Sequence, residues 1–264
     1  IQFDTSEFLE IFSPSLRKYT KKFTVRAANK TRHIRIPHRQ EKRLALVIAN
    51  EDYSNIPKLD GPINETKQLV EVLKTLDFEV LDYYNVDQQD LFKVINFFQE
   101  EIADHNVIFF YFSGHAIQLG DENFILPVNV SPFVDKTETI ALQEISANMN
   151  EANKHTNIIV LDACRSIPQE INSRKSVFSN QLLIDPVVDV PSGSFFAFAT
   201  SSGEEAVGGI YTPALTEKLK EPMLDIENVF KQVRFEVKRK TNGLQIPEEK
   251  SSLIGKFIFN KGEN

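Results

Sequence analysis

From Arg43 onward the chain alternates between short runs that are apolar throughout and longer stretches that are apolar on one helical face. Arg43 to Asn50 (RLALVIAN) is the first such run, ended by the turn-forming Glu51-Asp52-Tyr53-Ser54-Asn55, and is predicted to be a buried strand. Pro62 opens a helix on which Leu69, Val72, Leu73 and Leu76 share a face, since proline suits a first turn whose amide would be unpaired anyway. The alternation continues with a strand over Phe78 to Val86, a helix over Gln88 to Ala103 with Leu91, Val94, Ile95 and Phe98 inward, and a strand over Val107 to Ser113. An extended stretch at Phe124 to Val128 and a helix around Thr137 to Ala152 come next. Strands at Asn157 to Ala163 and Ser194 to Thr200, a helix from Asp225 to about Arg239 and a strand at Gly255 to Phe259 complete the series. Strands apolar on both faces, alternating with helices, imply an α/β fold with a mostly parallel sheet between helical layers.

In such sheets, sites form in the loops beyond the carboxyl ends of the strands. There the third strand runs into Ser113-Gly114-His115-Ala116 and the strand at residues 157–163 into Asp162-Ala163-Cys164-Arg165. If these strands are neighbours, His115 and Cys164 share one edge. A thiol becomes a strong nucleophile when a nearby imidazole stabilises its thiolate, so the pair fits a cysteine-protease dyad. Taken singly, a lone cysteine is commonly a small buried hydrophobe and a lone histidine a satisfied core residue; each at the end of its strand, they point to catalysis.

Composition changes this picture in few places. With one cysteine in 264 residues no internal disulfide can form, which argues against a disulfide-stapled secreted scaffold. No run reaches the ~20 apolar residues of a membrane helix, and a cytoplasmic setting is expected. The net charge of −7 is uneven: Arg17 to Arg43 holds 11 of the 30 basic residues and one acid, Glu41. The remaining acidic surface would repel nucleic acid and attract basic partners. Residues 1–42 read as a basic segment or linker from a preceding domain, with a short helix at Ser6 to Phe12 and strand-like alternation over Phe23 to Ile36. No G-x-G-x-x-G follows the first strand, where Ala49-Asn50-Glu51-Asp52 stands, so a nucleotide-cradling domain is not indicated.

The order of RLALVIAN, YFSGHA at Tyr111 to Ala116, LDACR at Leu161 to Arg165 and GLQIPEEKSSL at Gly243 to Leu253 resembles the caspase-like cysteine peptidases over residues 43 to 260. It looks most like paracaspases and their bacterial caspase-like relatives, because the first helix begins Leu59-Asp60-Gly61-Pro62-Ile63-Asn64-Glu65 and the nucleophile stands in Asp-Ala-Cys-Arg. The spacing of 49 residues between His115 and Cys164 agrees with the ~50 of caspases. The resemblance implies a caspase-like three-layer sandwich with a six-stranded sheet, divided into a large-subunit-like part (43–170), a loop (171–191) and a small-subunit-like part (192–264). It further implies a Cys164/His115 dyad without a third member, and oxyanion donors among the amides of Gly114, Ala116 and Cys164. Caspases carry an arginine at the position matching Leu59 to bind a substrate aspartate; that arginine is missing here.

Acids stand at Asp162 and Glu65 instead, and Glu205 matches a third acid of paracaspases, beside Glu204. Asp162 and Cys164 are two apart on a strand and so on one face, which places a carboxylate beside the nucleophile. A carboxylate pair would form a charge-assisted site for arginine, or a simpler ionic one for lysine. The alternative reading of Asp162 is a structural acid that caps the following helix. The expected activity is therefore an endopeptidase cutting protein substrates after Arg or Lys. The resemblance allows self-cleavage at Arg174-Lys175, homodimerisation through the strand at Gly255 to Phe259 and an upstream adaptor. No cofactor is expected, and no metal, since no D-x-D-x-D loop for calcium occurs. The competing classes are a catalytically silent caspase-like scaffold and a calcium-dependent metacaspase-type protease.

Overall fold

A computed structural model describes residues 23–27, 30–34, 41–119, 122–150, 156–163, 190–201 and 206–262. Strands β1 (Phe23–Ala27) and β2 (Lys30–Ile34) pair antiparallel as a hairpin, so the alternation over Phe23 to Ile36 resolves into two strands rather than one. The helix expected at Ser6 to Phe12 lies outside the described residues.

The main sheet opens with β3 (Arg43–Ala49), followed by α1 (Pro62–Thr75), β4 (Phe78–Tyr84), α2 (Gln88–Ile102) and β5 (Val107–Ser113). A small three-stranded sheet, β6 (Ala116–Leu119), β7 (Glu122–Ile125) and β8 (Ile140–Ala141), leads into α3 (Leu142–Asn150) and β9 (Thr156–Asp162). Then come β10 (Ser194–Phe198), α4 (Tyr211–Leu219), α5 (Ile226–Lys240) and β11 (Glu248–Ser251). The six-stranded sheet has the order β11-β10-β9-β5-β3-β4, parallel throughout except for β11. Caps at the helix starts follow the expected chemistry: Asp87 accepts from the Asp90 amide and Asp225 from that of Asn228, while Pro62 follows Gly61 into α1.

Alternate residues of each central strand supply two cores. Ala45, Val47, Phe109 and Val160 meet Leu69, Leu73, Leu215 and Phe230 of α1, α4 and α5 on one face. Leu46, Ile48, Phe110 and Ile159 meet Leu91, Phe98, Ile145 and Met149 of α2 and α3 on the other. Each of these side chains larger than alanine contributes ~1.5–3 kcal/mol by leaving water, and together they make the three-layer α/β sandwich that the alternation implied. Among the described residues no helix is long and apolar enough to cross a membrane.

Two expected elements are corrected and one is added. Gly255 to Phe259 is not a strand: it makes only an isolated bridge between Ile258 and Asp225, while Phe257 and Phe259 turn into the core. The sixth strand is instead β11, the polar Glu-Glu-Lys-Ser segment, so the dimer seam expected at 255–259 has no strand to use. The helix expected around Thr137 to Ala152 starts only at Leu142, because Ile140 and Ala141 pair with β7 and Lys136–Glu138 form a 3₁₀ turn. Helix α4 was not expected, although Tyr211, Ala214, Leu215 and Leu219 have helical spacing and Pro213 falls in its first turn.

Candidate active site

The register levels Tyr84, Ala49, Ser113 and Asp162 at one edge of the sheet. Strands β5 and β9 are neighbours, as the dyad required, and the Gly114 amide donates to the Asp162 carbonyl at 3.3 Å. The segment carrying His115 therefore leaves the sheet beside the residue two positions before Cys164.

His115 is buried at 9% exposure and held from two directions by the loop between β3 and α1. Its amide donates to the Tyr53 hydroxyl at 2.8 Å, and its Nε2 lies 2.8 Å from the Pro57 carbonyl oxygen. A carbonyl only accepts, so Nε2 carries the proton and Nδ1 of the neutral ring carries the lone pair. The Tyr53 ring rests on the imidazole with centroids 4.6 Å apart. That loop sits on a satellite core of Tyr53, Ile117, Phe124, Leu126 and Val130, and Leu59 packs against its edge.

The backbone also sorts the oxyanion candidates. The Leu126 amide donates to the His115 carbonyl at 3.1 Å, which makes 115/126 a hydrogen-bonded rung of the β6–β7 ladder. In an antiparallel pair the next residues, Ala116 and Ile125, form a non-hydrogen-bonded pair, so the Ala116 amide is directed away from β7. The Gly114 amide is already engaged with Asp162.

The structure brings Asp162 and Glu65 together. Asp162 ends β9, half-buried against the first turn of α4, where Thr212 donates its hydroxyl to Oδ2 at 2.5 Å and Tyr111 bonds Thr212 in turn. Burial pushes the Asp162 carboxyl up to about 6 even though Thr212, by side chain and backbone, draws it down. Glu65, in the first turn of α1, folds back over Gly61, so that a Cβ there would fall 2.6 Å from its Oε1; a Cβ on Gly209 would fall 3.6 Å from it. Gly61 has φ +112°, a conformation that suits glycine. Burial first, then the charges of Asp162 and Asp60, push the Glu65 carboxyl up to about 7. Neither acid has an ion-pair partner among the described residues. Asp162 also meets a helix terminus: its carboxylate accepts from Thr212 in the first turn of α4, the next helix among the described residues.

Cys164, Glu204, Glu205, Arg174 and Lys175 lie outside the described residues. Sequence reasoning missed Tyr53 and the Pro57 carbonyl, because Tyr53-Ser54-Asn55-Ile56-Pro57 carries only the composition of a turn and a backbone oxygen has no letter of its own. Thr212 and Tyr111 were missed because their hydroxyls face the acid from inside otherwise apolar elements.

The family model for the caspase domain matches residues 42–258. The chain is 24% identical over 187 residues to mucosa-associated lymphoid tissue lymphoma translocation protein 1 of Homo sapiens, covering 68% of this chain and 22% of that protein. It is 22% identical over 241 residues to caspase-1 of Rattus norvegicus, covering 83% and 60% of the two chains. With caspase-1-A of Xenopus laevis the figures are 26% over 251 residues, 84% and 63%. The chain thus spans about a fifth of the first relative and about three fifths of the others.

Proposed function

The chain belongs to the caspase-domain family, and on that premise we propose that it is a cysteine endopeptidase that cuts proteins after arginine or lysine. The observation that carries the specificity is the half-buried pair Glu65 and Asp162, uncompensated by any cation of the described residues and standing at the end of the strand that leads to Cys164. Two carboxyls pushed up to about 7 and about 6 gain most from a cation that restores their charge, and a guanidinium or ammonium of the substrate is such a cation. Glu205 is the third acid of this pocket.

Cys164 is the nucleophile and His115 its base. With Nε2 tied to Pro57, Nδ1 takes the thiol proton; the thiolate attacks the scissile carbonyl, and the imidazolium then protonates the departing amine. Water, deprotonated by the same nitrogen, releases the acyl group. The Ala116 and Cys164 amides stabilise the oxyanion, since Gly114 spends its own amide on Asp162. Reaction without calcium, self-cleavage at Arg174-Lys175 and dimerisation belong to the same reading, with the dimer seam assigned to β11, the edge strand of the sheet among the described residues.

A fluorogenic peptide panel that varies only the residue before the cut tests this. Arginine and lysine peptides are turned over, aspartate peptides are not, and a chelator changes nothing. Cys164→Ala and His115→Ala each reduce turnover at least about a thousandfold, non-additively, because nucleophile and base act as a unit. Activity surviving in Cys164→Ala overturns the mechanism; restoration by calcium after chelation favours the metacaspase-type chemistry.

A further inference from the structure

The rung at His115 and Leu126 is irregular in a way that bears on the histidine. In a regular hydrogen-bonded pair both residues exchange N–H···O bonds. Here the Leu126 amide donates to the His115 carbonyl at 3.1 Å, but the reciprocal bond is relayed: the His115 amide donates to the Tyr53 hydroxyl at 2.8 Å, and that hydroxyl donates to the Leu126 carbonyl at 3.3 Å. A phenol 62 residues away in sequence has been inserted into the ladder. We propose that the Tyr53 hydroxyl is a positioning residue for His115, which spaces the histidine's backbone off β7 so that its imidazole reaches the Pro57 carbonyl and presents Nδ1 to the nucleophile. This rests on the reading of His115 as the catalytic base.

Three observations favour a positioning role over simple satisfaction of polar groups. A direct rung would satisfy the same amide and carbonyl with one bond and no side chain; the relay uses two and sets the His115 amide one hydroxyl away from the Leu126 carbonyl. Gly114 is matched to it: a Cβ there would fall 2.6 Å from the Tyr53 oxygen and 2.9 Å from Phe112, so the residue before the histidine is one that admits the phenol. Asn50 adds a second donor to the Leu126 carbonyl at 3.0 Å and accepts from the Val86 amide at 3.0 Å, which fixes the carbonyl that the phenol bonds. The Tyr53 ring, 1% exposed and 4.6 Å from the imidazole, then limits the tilt of the histidine. Backbone and ring of one residue are thus set by Tyr53 and Pro57, four positions apart on one loop.

Tyr53→Phe keeps the ring and removes the relay. A misplacement of the order of 1 Å at a catalytic group costs up to ~100-fold, so kcat on an arginine peptide is expected to fall about 30- to 100-fold with KM within about twofold. Alkylation of Cys164, the chain's only cysteine, supplies a readout that needs no substrate. At about pH 6 a reactive thiolate exists only when paired with an imidazolium, whereas near pH 9.5 a thiol ionises unaided. The iodoacetamide rate is expected to drop in Tyr53→Phe at the lower pH and to stay unchanged at the higher one. If kcat and both rates match the parent chain while only the melting temperature moves, Tyr53 is structural and the proposal fails. If the parent chain cleaves no basic peptide yet the low-pH alkylation still depends on Tyr53, the positioning stands and the substrate reading fails. Should Tyr53→Phe not fold, 3-fluorotyrosine incorporated at position 53 retains ring and hydroxyl while weakening its acceptance from the His115 amide. It must shift kcat and the low-pH alkylation rate in the same direction, by less; no shift in either overturns the proposal.

Discussion

Two clusters of buried charge stand at opposite edges of the same sheet, and they are built on opposite rules. At the amino edge, Arg43 is 4% exposed, pairs with Glu41 at 2.8 Å and donates to the carbonyls of Leu76, Phe259 and Ile258 at 2.8, 2.7 and 3.1 Å. The rings of Phe78 and Phe257 lie 5.4 and 5.3 Å from the guanidinium, and Lys261 reaches Glu41 at 2.9 Å. Burial pushes the Glu41 carboxyl up, but Arg43 and Lys261 outweigh it and hold the group below the usual carboxylate range. At the carboxyl edge, Glu65 and Asp162 have no such cation among the described residues, and both carboxyls are displaced upward. A charge compensated within the chain holds the fold together; a charge left uncompensated costs the fold something, and on the proposed function a basic substrate residue compensates it.

The largest effect expected from breaking this contrast is at Arg43. Removing one partner of a buried pair costs ~3–5 kcal/mol, so Arg43→Ala should lower the melting temperature by roughly 10 °C while leaving kcat/KM per folded molecule unchanged. Thermal melts with activity titrated by active-site labelling check this, and a stable Arg43→Ala would show that the tail packing around Phe257 and Phe259 suffices alone.

Asp162→Asn comes next and has the opposite sign in stability. Losing one charge of a desolvated pair should reduce kcat/KM on arginine peptides about 30-fold or more, with iodoacetamide labelling of Cys164 unaffected. Carboxyls that ionise later folded than unfolded stabilise the protein fully below about pH 4 and lose that contribution as pH rises through about 6 and 7. The melting temperature of Asp162→Asn should therefore exceed that of the parent chain at pH 8 and match it at pH 4. Undiminished arginine preference would make Asp162 an anchor for α4 alone.

Glu65→Gln should cost less, about tenfold, because Asp162 stands two residues before Cys164 whereas Glu65 reaches the site from the first turn of α1. It also tests pH dependence: a bound cation favours the ionised acids, so KM for arginine peptides should fall as pH rises from about 5.5 to 7.5, and Glu65→Gln should remove the upper part of that fall. A flat KM over this range would refute the raised Glu65. The smallest effect is expected at Lys261→Ala, about 1 kcal/mol of stability measured by denaturant unfolding, since one ammonium adds a single point charge to a pair already satisfied by Arg43.

The α/β alternation was readable in the sequence because burial on both faces of a strand and on one face of a helix leaves a local periodic mark, as in RLALVIAN or VIFFYFS. The chemical types of the candidate site, a histidine and a cysteine after two apolar runs with an acid between, were readable for the same reason. What needed the tertiary structure lies between residues far apart in sequence or in atoms without a side-chain signature. That β5 neighbours β9, that Arg43 reaches Phe259 across 216 positions, and that Pro57 and Tyr53 hold His115 across 58 and 62 all depend on the sheet order. The polar β11 was hidden because an edge strand pairs by backbone amides and carbonyls that every residue carries, while the apolar Gly255 to Phe259 resembled a strand because two phenylalanines fill the core from a bend. Hydrophobic pattern reports which side chains leave water; which backbone groups and charges then meet is decided by the packing of the layers.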